Sequence, residues 1–153
     1  MRTDMKNMKV TLEFESYPPR HTCEGEDISP RIGIGGLEAP YLAMILDDPD
    51  AAAGTYVHWV IWNIKASDEV PESISTAERP DELPGAVQGS NSAGTIGYTG
   101  PCPPRGSTHR YYLKVYGLES PLDLPPGSTK ADLEKALRGK ARQYGEAMAT
   151  YGR

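Results

Sequence analysis

YVHWVIWNI, residues 56–64, is almost entirely aromatic or β-branched, and such side chains favour an extended, pleated backbone. Its apolar residues occupy both alternating sets of positions, so a strand here has both faces covered and is expected in the middle of a sheet. Trp59 and Trp62 lie three positions apart, point to opposite faces and should both be buried. Residues 41–46 form a second apolar run, bounded by Pro40 and by Asp47-Asp48-Pro49, and read as a buried strand. In HRYYLKVYGL, residues 109–118, the odd positions His109, Tyr111, Leu113 and Val115 make one largely apolar face. Arg110 and Lys114 fall on the other, as in a strand with one solvated side. Residues 10–15 and 32–34 read as shorter strands, the second beside a Gly35-Gly36 turn.

Sixteen glycines and fourteen prolines punctuate the 153 residues, which favours many short strands over long helices. Helix is expected only near the end. Thr129-Lys130-Ala131-Asp132 has the capping-box pattern, Leu133 and Leu137 sit four apart, and Gly139 ends the turn. A second amphipathic stretch over residues 140–149, interrupted by Gly145, suggests a second helix. Residues 65–97 are poor in apolar side chains and read as a long loop, of the kind that is functional or mobile. The expectation is one mainly β domain over residues 1–153, with one or two C-terminal helices.

Charge and composition exclude several functions. Sixteen Lys and Arg against 21 Asp and Glu leave a net charge of −5, without a basic cluster, which argues against nucleic acid and anionic membrane surfaces. No apolar run approaches the roughly 18 residues of a membrane span. Residues 1–9 are charged with no apolar core behind them, so no secretory leader is expected and the expected location is cytoplasmic. Cys23 and Cys102 have neither metal-ligand nor C-x-x-C spacing. In that setting the default is two reduced thiols, with a single bridge as the alternative.

Two of the three histidines lie in the strongest strands. Alternation puts His58 on one face with Tyr56, Val60 and Trp62, and His109 with Tyr111. An imidazole beside a phenol near a strand end suits anion binding or proton transfer. The plainer reading of any single histidine is a core residue bonded to backbone. Asp48, before Pro49 at the end of a buried strand, is a further polar group. Asp47, Asp48 and Asp50 otherwise read as ordinary turn chemistry or as an acidic metal motif. The stretch from Gly97 to Gly106 (GYTGPCPPRG) is stiffened by three prolines and leads directly into His109. Nucleophile elbows, zinc-protease motifs, phosphate loops and dinucleotide fingerprints are missing. A Cys102–histidine pair, or a metal triad of His58, His109 and Asp48, is chemically conceivable but lacks support from spacing.

Together these pieces resemble the phosphatidylethanolamine-binding protein family, also called Raf kinase inhibitor-like proteins, in its compact bacterial and archaeal form. The resemblance rests on Asp48-Pro49-Asp50-Ala51, His58-Trp59-Val60 running to Asn63, Gly97-Tyr98, Gly100-Pro101-Cys102-Pro103-Pro104 and His109-Arg110-Tyr111. The opening Cys23-Glu24-Gly25-Glu26-Asp27-Ile28-Ser29-Pro30 and the closing Tyr151-Gly152-Arg153 fit as well, so the whole chain is covered in order. The resemblance implies a large antiparallel central sheet packed on a smaller one, with flanking helices. It implies a pocket for a small anion (phosphate, sulfate or a phospholipid head group) made by Asp48, His58, Pro103, Pro104, His109 and Tyr111, with Tyr56 at its mouth. Ala52, Tyr56 and Lys65 depart from the family's usual proline, tryptophan and proline.

The expectation is therefore a non-catalytic binding protein with no cofactor and no metal. Its partners are a small anionic ligand and, as in some family members, a kinase or protease that it modulates, with a homodimer also open. No segment matches those through which animal members engage kinases. The alternative is a hydrolase or lyase acting on a phosphorylated small molecule through His58 and His109. A third reading is an inhibitor that uses the loop at 65–97.

Overall fold

The computed structural model of the chain describes residues 5–153. Its strands are β1 (Lys6–Asn7), β2 (Lys9–Thr11), β3 (Ile32–Gly35), β4 (Tyr41–Asp48), β5 (Tyr56–Lys65), β6 (Glu69–Val70), β7 (Val87–Gln88), β8 (Thr108–Leu118) and β9 (Ala141–Gly152). A 3-10 turn at Pro19–His21 and one helix, α1 (Lys130–Leu137), complete the described elements. The large sheet has the order β1-β9-β8-β4-β5-β7 and the small one β2-β3-β6. Between the described strands every pairing is antiparallel except β1 with β9, so the large sheet is mixed rather than wholly antiparallel.

Two apolar layers result. Between the sheets lie Ile32 and Ile34 of the small sheet with Leu42, Met44, Leu46, Trp59, Ile61, Leu113 and Val115 of the large one. On the other face, α1 lays Leu133 and Leu137 over Ala43, Ile45, Val60, Trp62 and Leu118. Trp59 and Trp62 therefore occupy opposite layers, as their spacing implied, and are 1% and 0% exposed. β5 is covered on both faces, but β4 is the strand with long partners on both edges. Beyond β7, the outer edge of β5 is closed by the loop: Gly89, Ser92 and Thr99 donate backbone N–H groups to the carbonyls of Val60, Val57 and His58. The 65–97 segment, continued to Thr99, thus covers a sheet edge that would otherwise be open to pairing. Gln88 ties it inward, accepting from Trp59 Nε1 at 2.7 Å and donating to the Ser75 and Ala77 carbonyls.

The helix begins where the capping box placed it. Asp132 N–H donates to Thr129 Oγ1 at 3.2 Å, and Thr129 N–H to Asp132 Oδ2 at 3.0 Å. Replacing Thr129 with alanine should cost about 1 kcal/mol, the usual loss of an N-cap. Urea unfolding measures this, and an unmoved midpoint would mean that Leu133 and Leu137 alone hold the first turn.

The second helix expected over 140–149 is instead most of β9. Ala, Arg, Gln, Glu and Met favour helix locally, but this segment pairs with β8 from Ala141–Leu118 to Gly152–Thr108. Long-range pairing outweighs a per-residue propensity of a few tenths of a kcal/mol. Gly145, read as a helix breaker, is a point of close approach: a Cβ there would overlap the Met8 carbonyl. The strand expected over 10–15 is reduced to Lys9–Thr11. Among the described residues no helix is long and apolar enough to cross a membrane.

Candidate functional site

β4 ends in Asp47-Asp48, and alternation sends the two carboxylates to opposite faces. Asp47 turns to the helix side, where its Oδ2 accepts from Lys114 Nζ at 3.1 Å and Lys130 Nζ at 2.7 Å. Asp48 faces the other way and is 3% exposed. Its Oδ1 accepts the Asp50 N–H at 2.8 Å, closing the Asp-Pro-Asp turn, and its Oδ2 accepts from His109 Nδ1 at 2.7 Å. Asp50 takes the Arg110 backbone N–H and guanidinium, which hold its carboxyl down at about 2 and pin the turn to β8. The three aspartates diverge, and no group of three or more metal-ligating side chains converges among the described residues.

His58 departs from the alternation read in the sequence. β5 carries a bulge here: Trp59 pairs with Leu46 but Val57 with Asp47, which leaves His58 as the extra residue. Val60 and Trp62 consequently face the helix, while His58 and Tyr56 turn to the opposite side. There the His58 ring lies 4.8 Å from the Tyr56 ring and 5.3 Å from that of Tyr111. His109 and Tyr111, two apart on β8, share that side, as expected from the strand.

All seven expected residues, Asp48, Tyr56, His58, Pro103, Pro104, His109 and Tyr111, line one cavity of about 480 Å³. Its wall also includes Ala51, Ala52, Ala53, Thr99, Gly100, Cys23 and Cys102. The alanines carry no chemical signal in a sequence beyond their place after Asp50. Thr99 matters through its backbone carbonyl, 2.7 Å from His58 Nδ1, which no side-chain pattern could reveal. Gly100 lies so close to the His21 carbonyl and the Asp27 carboxylate that a Cβ would overlap both; its N–H donates to Asp27 Oδ1 at 2.8 Å. A second cavity, about 510 Å³, lies on the helix side, but its two lysines are already paired with Asp47.

The cysteines correct the expectation of reduced thiols. Cys23 and Cys102 form a disulfide, their Cα atoms 5.5 Å apart, across 79 positions of sequence. The bridge joins the segment after the 3-10 turn to the proline-rich wall.

Hydrogen bonding sets what the pocket can do. Each histidine commits Nδ1, His58 to a carbonyl and His109 to a carboxylate, so Nδ1 carries the proton in the neutral ring. Nε2 is then an acceptor, and it becomes a donor only when the ring is cationic. Burial holds His58 below the usual histidine range, opposed by the Thr99 carbonyl and the Asp48 charge. Burial, followed by the nearby Asp48 carboxylate, pushes the Tyr111 phenol well above its ordinary value, so it stays a proton donor. The Tyr111 hydroxyl is buried without a partner among the described residues.

Comparison with known proteins agrees with this architecture. A match to the family described as phosphatidylethanolamine-binding protein spans residues 7–152. The UPF0098 protein PH1269 of Pyrococcus horikoshii is 45% identical over 153 residues, covering 96% of this chain and 77% of its own. CT736 of Chlamydia trachomatis, solved as a homologue of phosphatidylethanolamine-binding protein, superposes with a TM-score of 0.84 at 33% identity, covering 97% of this chain and 99% of its own. E. coli YbcL, described as a new member of the mammalian PEBP family, has a TM-score of 0.85 at 29% identity, with coverage of 95% and 98%. From fold, motif order and these likenesses together, the chain belongs to the phosphatidylethanolamine-binding protein family.

Proposed function

We propose that this chain is a non-catalytic binding module whose pocket takes a small tetrahedral anion. The ligand is phosphate, sulfate or the phosphate of a phospholipid head group. The observation that supports this most directly is the pair of histidines anchored through Nδ1, His58 on Thr99 and His109 on Asp48, over one cavity. When protonated, both rings have Nε2–H left to donate. Tyr111 supplies a third donor: a buried, unpartnered hydroxyl costs about 1–3 kcal/mol, and a ligand oxygen that accepts from it relieves that cost. Pro103, Pro104 and Tyr56 form an apolar rim that keeps water from the anion. Asp48 is a positioning residue in this scheme, holding the His109 ring while adding a charge that disfavours an anion.

Calorimetry with inorganic phosphate tests the reading, and binding in the millimolar range or tighter is expected. Tyr111→Phe should weaken phosphate by about tenfold, the worth of one hydrogen bond to a charged group. The unliganded variant should be as stable as the parent or slightly more so, because it loses an unsatisfied hydroxyl. No heat of binding at millimolar phosphate would overturn the proposal. Turnover of generic phosphate monoesters, abolished by replacing either His58 or His109, would replace it with the hydrolase alternative.

A further inference from the structure

Disulfides are usually buried, but both halves of this one are exposed, and both line the cavity that holds His58 and His109. Cys102 stands between Pro101 and Pro103, which lack N–H donors, so the wall has few backbone bonds of its own. It is fastened from outside, by the Cys23 N–H to the Pro101 carbonyl at 3.2 Å and by Arg153 Nη1 to the Pro103 carbonyl at 3.2 Å. The same Arg153 Nη1 lies 3.5 Å from Cys102 Sγ. A guanidinium beside one sulfur stabilises that sulfur as a thiolate and makes it the better leaving group. Arg153 also pairs with Glu24, the residue after Cys23, its Nε 3.6 Å from Glu24 Oε2.

We propose that the Cys23–Cys102 bridge is a thiol–disulfide exchange site, opened by a dithiol reductant that attacks Cys23, and that opening it loosens the pocket wall and weakens anion binding. The second half of this proposal rests on the anion-pocket reading above. A thiolate of the dithiol attacks Cys23 Sγ. A new S–S bond forms there, the protein's bond breaks, and its electron pair leaves on Cys102 Sγ beside Arg153. The second thiol of the reductant, as thiolate, then displaces Cys23 and closes a cyclic disulfide. Two electrons pass to the protein, and the two protons of the dithiol end on Cys23 and Cys102 as their thiolates are protonated. The wall then keeps only its hydrogen bonds, and the ordering that the bridge provided must be met during ligand binding.

Dithiothreitol added to the folded chain, with iodoacetamide trapping over time, tests the exchange site. Alkylation of both cysteines at a rate proportional to dithiothreitol, with far-UV circular dichroism retained, is expected. A rate independent of dithiothreitol, set by unfolding, would overturn the site. With the monothiol 2-mercaptoethanol the trapped mixed disulfide should sit on Cys23 and the alkyl group on Cys102; the reverse pattern would overturn the direction of attack. Arg153→Gln should slow exchange roughly threefold and Arg153→Lys restore it, since a charge and not a shape is required; equal rates in all three would remove Arg153 from the step. Phosphate affinity of the reduced chain, and of the Cys23→Ser, Cys102→Ser double variant, should fall about tenfold relative to the oxidised chain. Unchanged affinity overturns the gate. An oxidised chain that binds no phosphate overturns the pocket reading and the gate with it, while the trapping result still decides the exchange site.

Discussion

Trp62→Ala is expected to destabilise the protein by about 3–5 kcal/mol, the range for truncating a fully buried aromatic. Trp62 is 0% exposed and lies in the layer between the large sheet and α1, among Val60, Leu122, Leu133 and Leu137. Its removal leaves a cavity that these neighbours can fill only by shifting the helix or β5. It also removes the donor to the Leu124 carbonyl, now 3.2 Å from Trp62 Nε1. Gly89 packs against the same ring so closely that a Cβ there would meet it, so the long loop loses a contact as well. The check is guanidinium unfolding followed by far-UV circular dichroism, with the slope compared to the parent. A loss under about 1 kcal/mol would mean that α1 collapses into the space, and that the helix layer is not the tightly packed one described.

Sulfate affinity is expected to fall steadily from about pH 5.5 to 8, by up to about tenfold per pH unit for each histidine that must be protonated. Sulfate keeps its charge over this range, so the titration belongs to the protein. The direction follows from the bonding of the rings. Because Nδ1 of each is occupied, an anion is met by Nε2–H only in the imidazolium form, so binding takes up a proton wherever the free ring is neutral. Burial depresses His58 below its reference of about 6.5, and its share of the decline therefore begins on the acid side of that value. His58→Gln should flatten the profile, because an amide can donate without titrating. The same depressed His58 has a separate effect on the unliganded fold. Between its folded value and about 6.5 the unfolded chain binds the extra proton, so stability is full above about pH 6.5 and is lost as pH falls below it. Sulfate should offset that acid loss. Calorimetry that finds sulfate affinity independent of pH would sink the two-histidine pocket and return both rings to a structural role.

Several features were legible in the sequence because their causes are local. The β-branched and aromatic run at 56–64 favours an extended backbone, and Thr129 with Asp132 caps α1 through atoms three residues apart. The period-two face of β8 brought His109 and Tyr111 together without reference to any other strand. The motif resemblance named the seven pocket residues, which the fold gathers around one cavity. What local pattern could not decide involves partners far along the chain. His58 reaches the pocket rather than the helix layer because β5 bulges at that residue against β4. Asp48 selects His109 across 61 positions, and Cys23 meets Cys102 across 79. Residues 141–149 are helix-forming by composition, yet they are strand because β8 offers them a full ladder of hydrogen bonds. Local propensities amount to tenths of a kcal/mol per residue, whereas an unpaired ladder group buried in a sheet costs about 1–3 kcal/mol, so the tertiary partner decides wherever the two conflict.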